Sequence, residues 1–176
     1  MGHCSTEVVL PNKTSAKVAC GRSLHMIHFI GDSNARELGR YFANTTGVEV
    51  NVDFCYPGET SEEILRKCTS KRSRLAPQKV AVVWAGTNDC CLATAANCFA
   101  LAQAAHSNGA RVIVIEPTKR DGPPDTILDG FADCVERANG THLDVRRLLE
   151  PGMFRDPLHL TDEGKGVVVD RLRALM

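Results

Sequence analysis

The sequence predicts an α/β fold, a three-layer α/β/α sandwich on a mostly parallel sheet of about five strands. Short apolar runs alternate with helical patterns along most of the chain, as in parallel sheets joined by crossover helices. Two of these runs, at residues 79–84 and 111–115, are almost continuously apolar, which is typical of strands buried on both faces. The 176 residues are enough for one domain with a full core.

The first half of the domain is predicted to contain three strands and two helices. Apolar runs bounded by turn residues indicate the strands, and longer stretches with helical spacing indicate the helices. The second helix follows Thr60, whose spacing to Glu63 is that of a capping box. In chain order the elements are a strand at 26–30, a helix at 34–44, a strand at 48–54, a helix at 61–73 and a strand at 79–84.

The second half is predicted to contain two strands and three helices. Asn108 and Gly109 end an alanine-rich helix, and Pro117 stops the strand that follows it. In chain order the elements are a helix at 92–107, a strand at 111–115, a helix around 126–138, a strand at 141–145 and a closing helix at 161–175.

The N-terminus is predicted to lie outside this domain. Residues 1–23 lack clear periodicity and are expected to form an extension or a strap over the domain at 24–176. Residues 1–17 contain no apolar segment of the signal-peptide type, and no apolar stretch approaches the roughly 20 residues that span a bilayer. Residues 1–6 formally match a myristoylation signal, but a cloning remnant or a trimmed domain start would also account for them.

Charge and cysteine usage narrow the range of partners. The 21 basic and 21 acidic residues balance, which argues against nucleic acid or an anionic membrane as an obligatory partner. The eight cysteines are scattered without a Cys-x-x-Cys pair, so no structural zinc site is predicted. Reduced thiols and a cytoplasmic location are favoured, while sequons at Asn12, Asn44 and Asn139 leave secretion from a longer precursor open. The sequence indicates no oligomeric state.

Four polar stretches fall where the predicted fold would bring them together. Three follow predicted strands directly, and the fourth lies just before the closing helix. The carboxyl ends of parallel strands share one edge of the sheet, where ligands bind in such folds, so we expect all four at that edge. They are residues 31–33, 57–60, 86–89 and 156–159.

In order and spacing these stretches resemble the four sequence blocks of the SGNH (GDSL-like) hydrolases, which are named for a catalytic Ser, Gly, Asn and His. The matching residues here are Ser33, Gly58, Asn88 and His159. The resemblance runs from about residue 25 to the C-terminus. It implies the flavodoxin-like SGNH fold, with residues 24–176 as the catalytic domain and a serine esterase mechanism without metal or cofactor.

Three residues are candidates for a catalytic triad. Ser33 opens a predicted helix, where backbone N–H groups and the positive helix end favour developing negative charge. A serine hydroxyl needs an adjacent base, and His159 is the candidate general base. Asp156 precedes His159 by three residues, a spacing that lets one loop hold the carboxylate against the other ring nitrogen.

Three donors are candidates for an oxyanion hole: the backbone N–H groups of Ser33 and Gly58 and the side-chain amide of Asn88. Asn88 could also cap the helix that begins near residue 92, a role that Asp89 is able to take instead. Asp32 is expected to be a structural acceptor for turn amides and Asp89 to be structural.

The sequence is compatible with several functions. The resemblance implies hydrolysis of short-chain, acetyl-type acyl esters, with a small molecule, lipid or carbohydrate as the acyl carrier. A lysophospholipase, thioesterase or acyltransferase would use the same residues, and a non-catalytic binding module could retain the fold. Residues 31–35 match the Gly-x-Ser-x-Gly motif of the α/β-hydrolase fold except at the last position, which makes that fold the rival. In the α/β-hydrolase fold, however, the nucleophile lies mid-chain. The natural acyl donor and its chain length are not predicted.

Overall fold

The computed structural model describes residues 26–70, 80–89, 93–119 and 130–176. Within these ranges five strands form one sheet in the order β2-β1-β3-β4-β5, and all four neighbouring pairs are parallel. The strands are β1 (Ile27–Gly31), β2 (Val50–Cys55), β3 (Val80–Trp84), β4 (Arg111–Ile115) and β5 (Gly140–Leu143).

Helices cover both faces of this sheet. One apolar cluster joins β-strand residues to α1 and α5, and a second joins them to α2, α3 and α4. The predicted three-layer α/β/α sandwich with five parallel strands is therefore confirmed. The helices are α1 (Ser33–Thr46), α2 (Ser61–Ser70), α3 (Thr94–His106), α4 (Phe131–Arg137) and α5 (Asp162–Leu175).

The strand order reverses at β1. The chain passes from β1 outward to β2 on one side and then to β3 on the other. In open parallel sheets, a crevice forms at the carboxyl ends of the two strands that flank such a reversal. The segments that follow β1 and β3 therefore border the same crevice.

Local sequence accounts for where the helices near this crevice begin. The Asp32 carboxylate accepts the backbone N–H of Asn34 at 2.9 Å and caps α1. The predicted capping box at α2 is present, since Glu63 accepts the Thr60 N–H at 2.9 Å and Thr60 Oγ1 accepts the Glu63 N–H at 3.4 Å. The Thr161 hydroxyl caps α5 by accepting the N–H of Gly164.

The helix and strand bounds differ from the predicted ones by at most two residues where both are described, because caps and turn contacts decide where an element ends. The predicted extension at 1–23 and the helix segments at 71–73, 92 and 126–129 lie outside the described residues, as do four of the cysteines, Cys4, Cys20, Cys90 and Cys91. His28 is buried in β1. None of the described helices is long and apolar enough to cross a membrane.

Candidate active site

Ser33 is the first residue of α1 and follows the carboxyl end of β1. The turn between them requires Gly31, because a Cβ there would lie 1.8 Å from the carbonyl oxygen of Trp84 on β3. The same carbonyl accepts the backbone N–H of Asp32 at 3.2 Å. This close approach of two strands places the Ser33 hydroxyl at the crevice, with the N-terminal end of α1 directly behind it.

Asp32 is fully buried beside the nucleophile candidate and connects two loops. Its carboxylate accepts the Asn34 N–H at 2.9 Å and the Thr87 N–H at 3.2 Å, which fixes the turn after β3 against the start of α1. Burial raises the pKa of Asp32 to about 6, and these hydrogen bonds oppose that rise. The side chain is thus an acceptor for turn amides, as the sequence suggested.

His159 and Asp156 form a hydrogen-bonded chain with Ser33. Oγ of Ser33 lies 2.9 Å from Nε2 of His159, and Nδ1 of His159 lies 2.9 and 3.0 Å from the two carboxylate oxygens of Asp156. A proton on Nδ1 that is donated to Asp156 leaves the Nε2 lone pair facing the hydroxyl proton of Ser33. The three residues predicted as a triad are therefore brought together in the order that proton transfer from serine requires.

The Asp156 carboxylate is held ionised by its own loop. Oδ1 accepts the backbone N–H groups of Leu158 and His159, each at 2.8 Å. These bonds, with that of Leu158 contributing most, lower the pKa of Asp156 to about 2, and the His159 ring adds to the effect. The side chain remains 41% exposed, so the carboxylate is oriented by hydrogen bonds rather than by burial.

Asn34, the residue after Ser33, connects the start of α1 to two other loops of the site. Its side-chain amide donates to the Thr87 hydroxyl at 3.3 Å and to the Leu158 carbonyl at 3.1 Å. Sequence reasoning assigned Asn34 no role. Its position was the signal in the sequence that could have indicated a role, because a buried amide directly after the nucleophile candidate faces the other loops of the site.

A hydrogen bond joins the loop of Gly58 to the loop of Asn88. Gly58 has φ of 80° in a turn closed by the Glu59 N–H to the Tyr56 carbonyl, with Pro57 before it, as in a type II turn. The Asn88 side-chain amide donates to the carbonyl of Glu59 at 3.0 Å, next to Gly58. The Tyr56 N–H donates to the Gly31 carbonyl at 2.7 Å, which fixes this turn two residues from Ser33.

Asp89 does not cap α3, a role that the sequence left open to it, and instead holds the start of α2. Its carboxylate accepts the backbone N–H of Ser61 at 2.8 Å and also the Ser61 hydroxyl, so it binds the first residue of α2. The Thr94 hydroxyl also donates to it at 2.6 Å, while the α3 N-cap, Ala93, offers no side-chain acceptor. Asp89 points across the sheet edge because α2 and α3 pack side by side over the same face.

This polar cluster lies behind the loops of Gly58 and Asn88 and was not predicted. Ser61 accepts a further hydrogen bond from the Asn97 amide at 2.9 Å. Ser61, Asp89 and Thr94 are all buried, so their mutual hydrogen bonds satisfy groups that water does not reach. Within the described ranges, no group of three or more His, Cys, Asp or Glu side chains is placed to hold a metal ion.

The fold is that of the SGNH hydrolases. Solved structures align over most of the chain at low identity. A carbohydrate esterase family 3 protein from Talaromyces cellulolyticus is 15% identical, with a TM-score of 0.63 over 86% of this chain and 97% of its own. An acetyl xylan esterase from Geobacillus stearothermophilus is 14% identical, with a TM-score of 0.60 over 82% of this chain and 91% of its own.

A further match belongs to the lipolytic G-D-S-L family. This protein, from Veillonella parvula, is 16% identical, with a TM-score of 0.64 over 86% of this chain and 97% of its own. No protein-family model and no curated protein sequence matches the chain. The likeness to these structures therefore lies in the fold.

Proposed function

We propose that this protein is a serine esterase that hydrolyses short-chain, acetyl-type acyl esters through an acyl-enzyme on Ser33. The observation that carries the proposal is the continuous hydrogen-bonded chain from Ser33 Oγ through His159 to Asp156, with distances of 2.9 Å at both steps. Residues 24–176 would then be the catalytic domain.

Acylation begins when Ser33 Oγ attacks the ester carbonyl carbon. His159 Nε2 takes the hydroxyl proton as the new C–O bond forms, and Asp156 stabilises the imidazolium through the Nδ1–H bond. The tetrahedral intermediate then expels the alcohol, which receives the proton from Nε2. The acyl group remains esterified to Ser33.

Deacylation repeats the same proton transfers with water as the nucleophile. Water occupies the place of the departed alcohol and gives a proton to His159 Nε2 as its oxygen attacks the acyl carbon. Collapse of the second intermediate breaks the bond to Ser33 Oγ, which regains the proton from the imidazolium. The products are the carboxylic acid and the free enzyme, and no cofactor takes part.

The oxyanion of each intermediate needs donors that are fixed in advance. The backbone N–H groups of Ser33 and Gly58 and the second amide hydrogen of Asn88 are the proposed donors. The contacts around these donors support the proposal. Asn88 donates its other amide hydrogen to the Glu59 carbonyl, which orients the side chain. The hydrogen bonds that Ser61 donates to the Asp89 carboxylate hold the start of α2, just beyond Gly58.

The exposure of the proposed triad favours a short acyl group. The His159 side chain is 24% exposed and that of Asp156 41%, so the proposed triad lies close to the surface. The small size of the domain suits an open, shallow site, which offers little apolar surface to a long acyl chain. Two of the similar structures are described as an acetyl xylan esterase and an acetyl esterase, which fits this size of acyl group.

The direct test is turnover of p-nitrophenyl esters from acetate to decanoate. We expect release of p-nitrophenol with a steep fall beyond four carbons, and loss of turnover in Ser33→Ala. Ser107→Ala, an exposed serine at the end of α3, is the matched control and should keep full activity. Equal turnover in the wild type and Ser33→Ala would leave a non-catalytic binding module as the better account.

Chain-length and acceptor dependence separate the remaining alternatives. A rate that rises toward decanoate would favour a lysophospholipase or thioesterase over a short-chain esterase. Formation of a new ester in the presence of an added alcohol, at the expense of free acid, would favour an acyltransferase, because both reactions share the acyl-enzyme and differ only in what attacks it.

A further inference from the structure

The segment that carries Asp156 and His159, called the acid–base loop here (residues 154–160), is closed on itself. Phe154 and Leu160 form an antiparallel bridge, and the Arg155 N–H donates to the His159 carbonyl at 3.0 Å. These bonds fix Asp156 relative to His159. They do not fix the loop relative to Ser33, which lies on a separate element.

Besides the hydrogen bond between Ser33 and His159, two side-chain contacts join the acid–base loop to α1. One is the bond from the Asn34 amide to the Leu158 carbonyl, described above. The other is an ion pair in which the Arg155 guanidinium donates to Glu37 Oε1 at 2.6 Å. Glu37 lies four residues after Ser33, one helical turn along the same face of α1. The ion pair is therefore one turn away from the nucleophile candidate.

Arg155 also faces Asp156 itself. Its Nε lies 3.8 Å from Asp156 Oδ2, the oxygen that lies 2.9 Å from His159 Nδ1. The hydrogen bond to Glu37 raises the pKa of Arg155, so the guanidinium stays charged. Other charges close to the pair are Lys165, 3.7 Å from Glu37 Oε2, and Asp162, which binds Lys165.

We propose that Glu37 and Arg155 are positioning residues that hold the acid–base loop on the nucleophile helix and balance the charge beside Asp156. This inference rests on the proposed function for its effect on rate, and on geometry alone for its effect on the loop. Neither residue touches the reacting atoms. Glu37 keeps Arg155 in place and offsets its positive charge. The His159–Asp156 pair therefore experiences little net field from the Glu37–Arg155 ion pair, which is called the clamp here.

The two single variants are expected to lower kcat alike and to move the titration of the His159 ring in opposite directions. Glu37→Gln and Arg155→Met should each lower kcat by about 10 to 100-fold with little change in KM, because a displacement of about 1 Å in a catalytic group is that costly. Glu37→Gln leaves a positive charge beside the pair, so the His159 ring should titrate at lower pH than in the wild type. Arg155→Met removes that charge, so it should titrate at higher pH, each change being on the order of 0.3 pH unit.

The double variant Glu37→Gln/Arg155→Met separates position from charge. It removes both charges together, so the ring resonance of His159 should titrate as in the wild type, whereas kcat should be no lower than in the worse single variant. Arg66→Met, an exposed arginine on α2, is the control and should change neither quantity. A merely structural pair would not move the titration in opposite directions.

Two readouts do not depend on turnover. The NMR titration of His159 and the hydrogen exchange of the Leu158 and His159 amides report on the position of the acid–base loop even if the protein hydrolyses no ester. Faster exchange in both single variants and opposite titration changes would support the clamp. Titration changes of the same sign, or exchange and kcat equal to the wild type in both variants, would overturn it. Absence of wild-type turnover would instead count against the esterase proposal and leave these readouts to decide the clamp.

Discussion

Ser33 Oγ lies 2.9 Å from Nε2 of His159, although 126 positions separate the two residues in the chain. Neither side chain is placed by its immediate neighbours alone. The close contact of Gly31 with Trp84 sets the turn that presents Ser33, and the bond from Asn34 to Leu158 brings the histidine loop to it. The relationship thus depends on contacts among three loops at one edge of the sheet.

Asp156→Asn tests the orienting role of the carboxylate. An amide cannot accept the Leu158 and His159 N–H groups and the ring Nδ1–H as two equivalent oxygens do, and it carries no charge to stabilise the imidazolium. We expect kcat to fall by about 10³ to 10⁴-fold, as for loss of the aspartate in other triads. Asp170→Asn, an exposed acid on α5, should leave kcat unchanged. Measured ester turnover in Asp156→Asn within tenfold of the wild type would remove Asp156 from the mechanism.

Asn88→Ala tests the side-chain donor to the oxyanion. Loss of one such donor typically lowers kcat by about 10² to 10³-fold with KM little changed. The variant also loses the bond to the Glu59 carbonyl, so thermal unfolding should be measured beside the kinetics. Asn44→Ala, at an exposed position of α1, provides the comparison. A loss seen mainly in KM would indicate ground-state binding instead.

Gly58→Ala and Gly47→Ala form a matched pair. Both glycines have positive φ, 80° and 69°, and an added Cβ would meet open space at each. Each substitution should therefore cost about 1 kcal/mol of unfolding free energy through backbone strain alone. Only Gly58→Ala should reduce kcat, because it changes the turn that presents an oxyanion donor, whereas Gly47 ends α1 at a distance from the site. Equal kcat values for the two variants would argue against the Gly58 donor.

Asp32 gives stability a pH dependence of defined sign. Its pKa of about 6 in the folded protein lies above the ordinary value of 3.8, so between these pH values the folded state binds more protons than the unfolded one. Stability from this group therefore falls as pH rises from about 4 to 6, by up to roughly 3 kcal/mol. Urea unfolding of the wild type and Asp32→Asn at several pH values should show their difference changing across this window. A pH-independent difference would contradict the raised pKa.

Much of the fold followed from the sequence because its determinants are local. Continuous apolar runs indicated buried parallel strands, and the Thr60–Glu63 capping box set the start of α2. The candidate site residues were also identifiable, because the stretches that hold Ser33, Asn88 and His159 resemble, in order and spacing, the sequence blocks of the SGNH hydrolases. The hydrogen-bond partner of Asp89 was not identifiable from the sequence, because only the packing of α2 beside α3 brings Ser61 within reach. The pairing of Glu37 with Arg155 likewise depends on how the loop docks on α1, which no local pattern reports.

The most direct test of the central claim is covalent trapping with a fluorophosphonate, which reacts with an activated serine. Peptide mass spectrometry of the treated protein should show one phosphonyl adduct on Ser33. The adduct should be absent from Ser33→Ala and strongly reduced in His159→Gln, with Asp170→Asn labelled like the wild type. An unlabelled folded wild type, or equal labelling of His159→Gln, would contradict a serine nucleophile activated by His159.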